Sequence, residues 1–115
     1  MAKRVLIAED EDDIRRAYER MLTLDGYEFY SVSTGAEMLE EAMSGEYDLI
    51  LSDVRMPKGY GDDILHILQE KGVKTPAIVV SAIMPHTRLP QNVSALSKPF
   101  DMTELRKKVA DILAR

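Results

Sequence analysis

Five side chains, widely separated along the chain, have the types and settings that phosphoryl chemistry needs: Glu9, Asp10, Asp53, Ser81 and Lys98. Asp53 ends Leu49-Ile50-Leu51-Ser52, whose apolar run is the kind that makes a strand buried on both faces. Pro57, Gly59 and Gly61 then force a loop, so Asp53 stands where a buried strand hands over to a loop. Glu9 and Asp10 end the apolar run Val5-Leu6-Ile7-Ala8, Ser81 follows Ala77-Ile78-Val79-Val80, and Lys98 follows Val93 to Ser97. Carboxylates gathered in one place repel unless a cation or a proton compensates. Hard oxygen ligands with open water positions suit Mg²⁺ or Mn²⁺. A carboxylate beside such an ion is a nucleophile toward a phosphoryl group. The ion, the Lys98 ammonium and the Ser81 hydroxyl would then take the three equatorial oxygens of that group. A plainer account makes Asp53 a strand-end cap for the next helix. It also makes the acidic run 9–13 an electrostatic match to a helix N-terminus, which covers Glu11, Asp12 and Asp13 better than Glu9 and Asp10 at the strand tip. His66 and His86 are lone histidines and read as surface residues rather than bases.

At 115 residues the chain suits one domain with a real hydrophobic core. Its 45% hydrophobic and 30% charged residues are those of an ordinary soluble protein. A formal charge of −5 speaks against direct nucleic-acid binding, which would need a clustered basic face. Without cysteine, disulfides, thiolate catalysis and thiolate-bound metals are excluded. The apolar run after Lys3 and Arg4 is too short for a signal peptide, and no run approaches membrane-spanning length. A cytoplasmic protein with no membrane insertion is expected.

The elements that must hold these groups follow from periodicity. Ile14, Ala17, Tyr18, Met21, Leu22 and Leu24 recur at helical spacing before Gly26, a plausible C-cap. Tyr27 to Val32 reads as a strand. Thr34 with Glu37 forms a capping box ahead of Met38, Leu39, Ala42 and Met43, with Gly45 as the stop. Tyr47 to Ser52 is the central strand, and Ile64, Leu65, Ile67 and Leu68 make a helical stripe closed by Gly72. Pro76 opens the strand Ala77–Val80. Pro85 and Pro90 leave room for a short helical turn at most in residues 83–92. Val93 to Ser97 is a weaker strand, and Asp101 with Glu104 caps a last helix expected to run to Arg115. Strand and helix alternate at about 20 residues per unit, which predicts right-handed crossovers over a parallel sheet. In the flavodoxin-like order 2-1-3-4-5 the carboxyl ends of strands 1 and 3 lie side by side, and ligands bind at that switch point. Asp10, Asp53, Ser81 and Lys98 would then ring one crevice.

Val5-Leu6-Ile7-Ala8-Glu9-Asp10-Glu11, Asp53-x-x-Met56-Pro57 with Gly61, Ser81-Ala82 and Lys98-Pro99-Phe100 together resemble the receiver domain of two-component response regulators. The resemblance covers essentially the whole chain. It implies a flavodoxin-like, CheY-like three-layer α/β sandwich formed by residues 1–115, with the fourth helix shortened or absent. It further implies that Asp53 accepts a phosphoryl group from a histidine kinase or histidine phosphotransfer protein, becoming an aspartyl phosphate. Asp10 and Asp53 would ligate Mg²⁺ directly, the Arg55 backbone carbonyl would complete the site, and Glu9 would act through water. Ser81 and Lys98 would contact the phosphoryl group, and Lys98-Pro99 would be a cis peptide. Such a protein is a signalling receiver with intrinsic autodephosphorylation rather than an enzyme, and it passes its signal to a downstream protein that the sequence does not identify. Nothing follows Arg115, in keeping with a stand-alone receiver.

Two departures from the family pattern stand out. Ala95 occupies the place, three residues before the lysine, where the family usually carries Tyr or Phe. The segment from Ser81 to Lys98 is short and holds two prolines, so residues 83–92 are expected to rearrange on phosphorylation in place of a fourth helix. Of Arg55 and Ile83, two positions after Asp53 and Ser81, Ile83 is expected to shield the phosphoryl group from water and Arg55 to pair with an anion across it, slowing loss of the group. Three rival readings exist. A metal-dependent phosphatase would want an acid where Arg55 stands, and an FMN binder would want a phosphate loop where Glu9 to Asp13 would repel it. The third is a phosphorylation-independent receiver-like interaction module, which Ala95 and the short segment favour and the full set of site residues opposes.

Overall fold

The computed structural model describes residues 2–81, 89–98 and 100–114. Within them the chain runs β1 (Arg4–Ala8), α1 (Asp12–Leu24), β2 (Glu28–Val32), α2 (Gly35–Ser44), β3 (Leu49–Asp53), α3 (Gly61–Glu70), β4 (Ala77–Ser81), β5 (Val93–Ser97) and α4 (Met102–Leu113). The five strands form one parallel sheet in the order β2-β1-β3-β4-β5, as the alternation of elements predicts. Every residue of β3 and β4 is buried, the burial expected of strands covered by helices on both sides.

Side chains alternate across the sheet and build two cores. Val5 and Ile7 of β1, Leu49 and Leu51 of β3, and Ile78 and Val80 of β4 pack with Tyr18, Leu22 and Leu105 under α1 and α4. Leu6, Ile50, Ala77 and Val79 point the other way, against Met38 of α2 and Leu65 and Leu68 of α3. The N-cap bond of both expected capping boxes forms. The Thr34 hydroxyl accepts from Glu37 N at 3.1 Å, and Asp101 Oδ1 accepts from Glu104 N at 2.9 Å.

The boundaries differ in instructive places. The central strand begins at Leu49 rather than Tyr47, whose phenol donates to Glu41 and whose ring lies under the Arg4 guanidinium. Helix α3 begins at Gly61, inside the stretch expected to be loop, because Gly61 N donates to the Val54 carbonyl at 2.7 Å and closes the turn early. The last helix ends at Leu113, with Ala114 as its C-cap. Between β4 and β5, residues 82–92 must make a parallel crossover, which takes about a dozen residues in any case. Among the described residues no helix lies there, and Leu89 to Asn92 lead into β5 through a turn closed by Val93 N on the Pro90 carbonyl at 3.1 Å. Four helices are thus described, with none between β4 and β5. Most of the segment expected to rearrange, 83–92, lies outside the described residues, as do Ile83 and Pro99, and with Pro99 the expected cis peptide.

Candidate functional site

The period-two alternation of the strands aims the site. Val5 and Ile7 face α1, so Glu9, which continues the ladder through its N–H to the Val32 carbonyl at 3.1 Å, falls on the same side. Asp53 follows Leu49 and Leu51 with the same parity, and Lys98 follows Leu96, which packs on that core as well. Three charged groups from β1, β3 and β5 therefore converge at the carboxyl edge of the sheet on the α1–α4 side. Lys98 Nζ sits 3.0 Å from Asp53 Oδ2, a contact between residues 45 apart in sequence. The backbone brings them together, since Lys98 N donates to the Ser81 carbonyl at 2.9 Å and Asp53 is paired with Val80.

Asp53 is 8% exposed, and its second oxygen, Oδ1, accepts from Arg55 N at 3.4 Å. Its side chain is turned to the site and not used as a helix cap. Tyr60 is the N-cap of helix α3 and no side chain caps it, which removes the plainer account of Asp53. The loop after it is clamped from both ends. Gly35 N, at the start of α2, donates to the Pro57 carbonyl at 3.0 Å, and a Cβ at Gly35 would come within 2.8 Å of the Lys58 and Gly59 carbonyl oxygens. A Cβ at Gly61 would overlap the backbone carbonyl of Asp53 itself. Both glycines allow backbone to approach backbone beside the Asp53 carboxylate.

Burial of Lys98 works against its charge, yet the hydrogen bond and charge of Asp53, with help from Glu9 and Glu11, hold its ammonium above the ordinary lysine value. Glu9 is 1% exposed. Burial, aided by the Asp53 charge and against the Glu11 N–H and Lys98, pushes its carboxyl up to about 8. Glu9 Oε2 accepts from Glu11 N at 3.1 Å, and Oε1 is buried without a partner. Asp10 is exposed and shares an open depression with Arg55, Met56, Pro57 and Tyr60, so the tips of β1 and β3 meet there as the sheet order requires. The Arg55 side chain is exposed. Ser81 is 8% exposed at the end of β4. Ala95 lies on an exposed position of β5. In the first turn of α1, Asp12 pairs with Arg15, and Arg15 also donates to the Glu9 carbonyl at 3.1 Å, so this part of the acidic run serves the helix end.

Two contributions were not visible as site features in the sequence. The packing role of Gly35 is hidden because nothing local marks a helix N-terminus that touches a distant loop. Tyr18 reads as one more apolar position of α1, although a tyrosine at an inward position always raises the question of its hydroxyl. That hydroxyl is buried and without a partner.

This chain belongs to the response regulator receiver domain family, whose model matches residues 5–110. The transcriptional regulatory protein PcoR of Escherichia coli is 33% identical over 98% of this chain and 52% of its own length. The response regulator receiver protein CpdR of Brucella abortus is 28% identical over 96% of this chain and 97% of its own. Among solved structures, the response regulator protein TrrA of Thermotoga maritima, in complex with Mg²⁺ and BeF, aligns with a TM-score of 0.83. It is 30% identical and is covered over 98% of its chain and 96% of this one. The chain spans about half the length of the curated relatives it matches first. Among the described residues no helix is long and apolar enough to cross a membrane.

The residues present fit a divalent cation. Glu9 offers a buried carboxyl oxygen with no partner, and Asp10 and Asp53 add hard oxygens at the same edge. Among the described residues no three Asp, Glu or His side chains form a complete cage. Mg²⁺ commonly needs none, being held by one or two carboxylates and retaining several waters.

Proposed function

We propose that the protein is a phosphoacceptor of two-component signalling, with Asp53 as the residue that takes the phosphoryl group. The observation that carries this reading is the buried Asp53 carboxylate at a strand end, held 3.0 Å from Lys98 Nζ across the sheet. A carboxylate oxygen of Asp53 attacks phosphorus in line. The O–P bond forms as the P–N bond of a phosphohistidine donor breaks, and the electron pair leaves with the imidazole nitrogen. Lys98 moves its ammonium contact from the carboxylate to a phosphoryl oxygen, and the Ser81 hydroxyl donates to another. Asp10, Asp53 and the Arg55 carbonyl would hold Mg²⁺, with Glu9 acting through water. The ion supplies positive charge that neutralises the oxygens of the transferring group.

The donor is a histidine kinase or histidine phosphotransfer protein, and the phosphorylated chain changes its contacts with a downstream protein in the cytoplasm. The bound Mg²⁺ and BeF of the Thermotoga relative support a phosphoryl site of this kind.

The test is intact mass after incubation with acetyl phosphate and Mg²⁺. One phosphoryl addition is expected on the native chain and none on Asp53→Asn or without the metal. An unmodified native chain, with Mg²⁺ bound and a cognate kinase present, would leave the interaction-only reading in its place.

A further inference from the structure

Among the described residues, Glu9 Oε1 and the Tyr18 hydroxyl are buried side-chain polar atoms with no hydrogen-bond partner. Leaving a buried polar group unsatisfied costs on the order of 1–3 kcal/mol, so an orphan donor and an orphan acceptor on one side of the sheet invite a connection. Tyr18 is 2% exposed on the second turn of α1 and belongs to the core beneath α1 and α4, the side to which strand alternation sends Glu9 and Asp53. Its ring also lines a groove with Asp13, Ile14, Lys98 and Phe100, so it borders the acceptor's lysine as well.

We infer that the Tyr18 hydroxyl is a positioning group for Glu9, donating through one water to the unpartnered Glu9 carboxylate oxygen and so fixing the carboxylate for the cation. The electrostatics agree. Burial raises the Tyr18 phenol above its ordinary value, and the carboxylate that adds most to the rise is Glu9, ahead of Asp53 and Glu11. A phenol held neutral in this way is a donor that cannot compete with Asp10 for the cation. Glu9 Oε2 already has the Glu11 N–H. The water held by Tyr18 would occupy the second oxygen, leaving the carboxylate oriented from both sides.

This inference rests on the phosphoacceptor reading of the site, and the experiment separates the two. Mg²⁺ affinity is measured by calorimetry on the native chain, on Tyr18→Phe and on Tyr27→Phe, a partly buried tyrosine packed on the same core. Thermal unfolding of each metal-free protein is recorded alongside. Tyr18→Phe keeps the ring and should bind Mg²⁺ about tenfold more weakly, the loss expected for one hydrogen bond to a charged group. Its metal-free form should still unfold cooperatively above the assay temperature, and Tyr27→Phe should bind as the native chain does. Native affinity in Tyr18→Phe, or an equal loss in Tyr27→Phe, would overturn the inference while leaving the acceptor site intact. A native chain that binds no Mg²⁺ would overturn both.

Discussion

Glu9 is buried at the tip of β1 with a carboxyl raised from the usual 4.5 to about 8, chiefly by desolvation. Below pH 4.5 it is protonated in the folded and unfolded chain alike. Between 4.5 and about 8 the folded protein keeps a proton that the unfolded chain releases, so rising pH favours unfolding. The stability that Glu9 contributes is therefore complete below pH 4.5 and is lost as pH climbs through about 8. The metal-free native chain should show an unfolding midpoint that falls across this window, and Glu9→Gln, which stays neutral, should flatten the fall. Parallel profiles for the two proteins would refute this account of Glu9. Lys98, by contrast, keeps its charge: burial works against it, but the hydrogen bond and charge of Asp53 hold its ammonium above the ordinary lysine value.

Elements place these groups through backbone contacts more than through side chains. The acceptor loop is held by α3 starting directly beneath Asp53 and by α2 donating into Pro57. Gly61→Ala would push its new methyl into the Asp53 carbonyl, and only a shift of the first turn of α3 relieves that overlap. Overpacking of this kind costs about 1–3 kcal/mol. Here it also displaces Asp53. We expect a lower urea midpoint together with a marked fall in the rate of modification by acetyl phosphate. A variant that loses stability but is modified at the native rate would separate the loop's packing from its role in aiming Asp53. The helix ends, by contrast, are local matters. Thr34 with Glu37 and Asp101 with Glu104 satisfy their own backbone donors within one turn, which is why they could be read from four residues of sequence.

The molecule as a whole is two cores back to back on one sheet, and the site sits where strands from both halves of the chain end together. Leu105 of α4 is fully buried in the core beneath α1, packed with Leu51, Val80 and Tyr18. Leu105→Ala should cost about 2–5 kcal/mol, the range for a fully buried leucine. Chemical denaturation will measure it, and a loss under about 1 kcal/mol would mean that α4 is a loosely attached cover. The sheet order, the strands, the helical faces and the two caps were legible from short-range patterns, because alternation and 3.6-residue spacing are properties of neighbours in sequence. So were Asp53, Asp10 and Lys98, since a polar residue that ends a buried strand stands out against the run before it. What neighbours could not reveal was where a helix starts under tertiary pressure. Tyr47 has the look of a strand residue and is instead drawn off by Glu41 and Arg4, and Gly61 looks like loop but opens α3. The sequence by itself determined the architecture and singled out Asp53 as the candidate acceptor. Only the tertiary structure decided that Lys98 closes on Asp53 while Glu9 Oε1 and the Tyr18 hydroxyl are buried without partners. Desolvation and pairing depend on which distant side chains share a space, and that is set by packing rather than by any local signal.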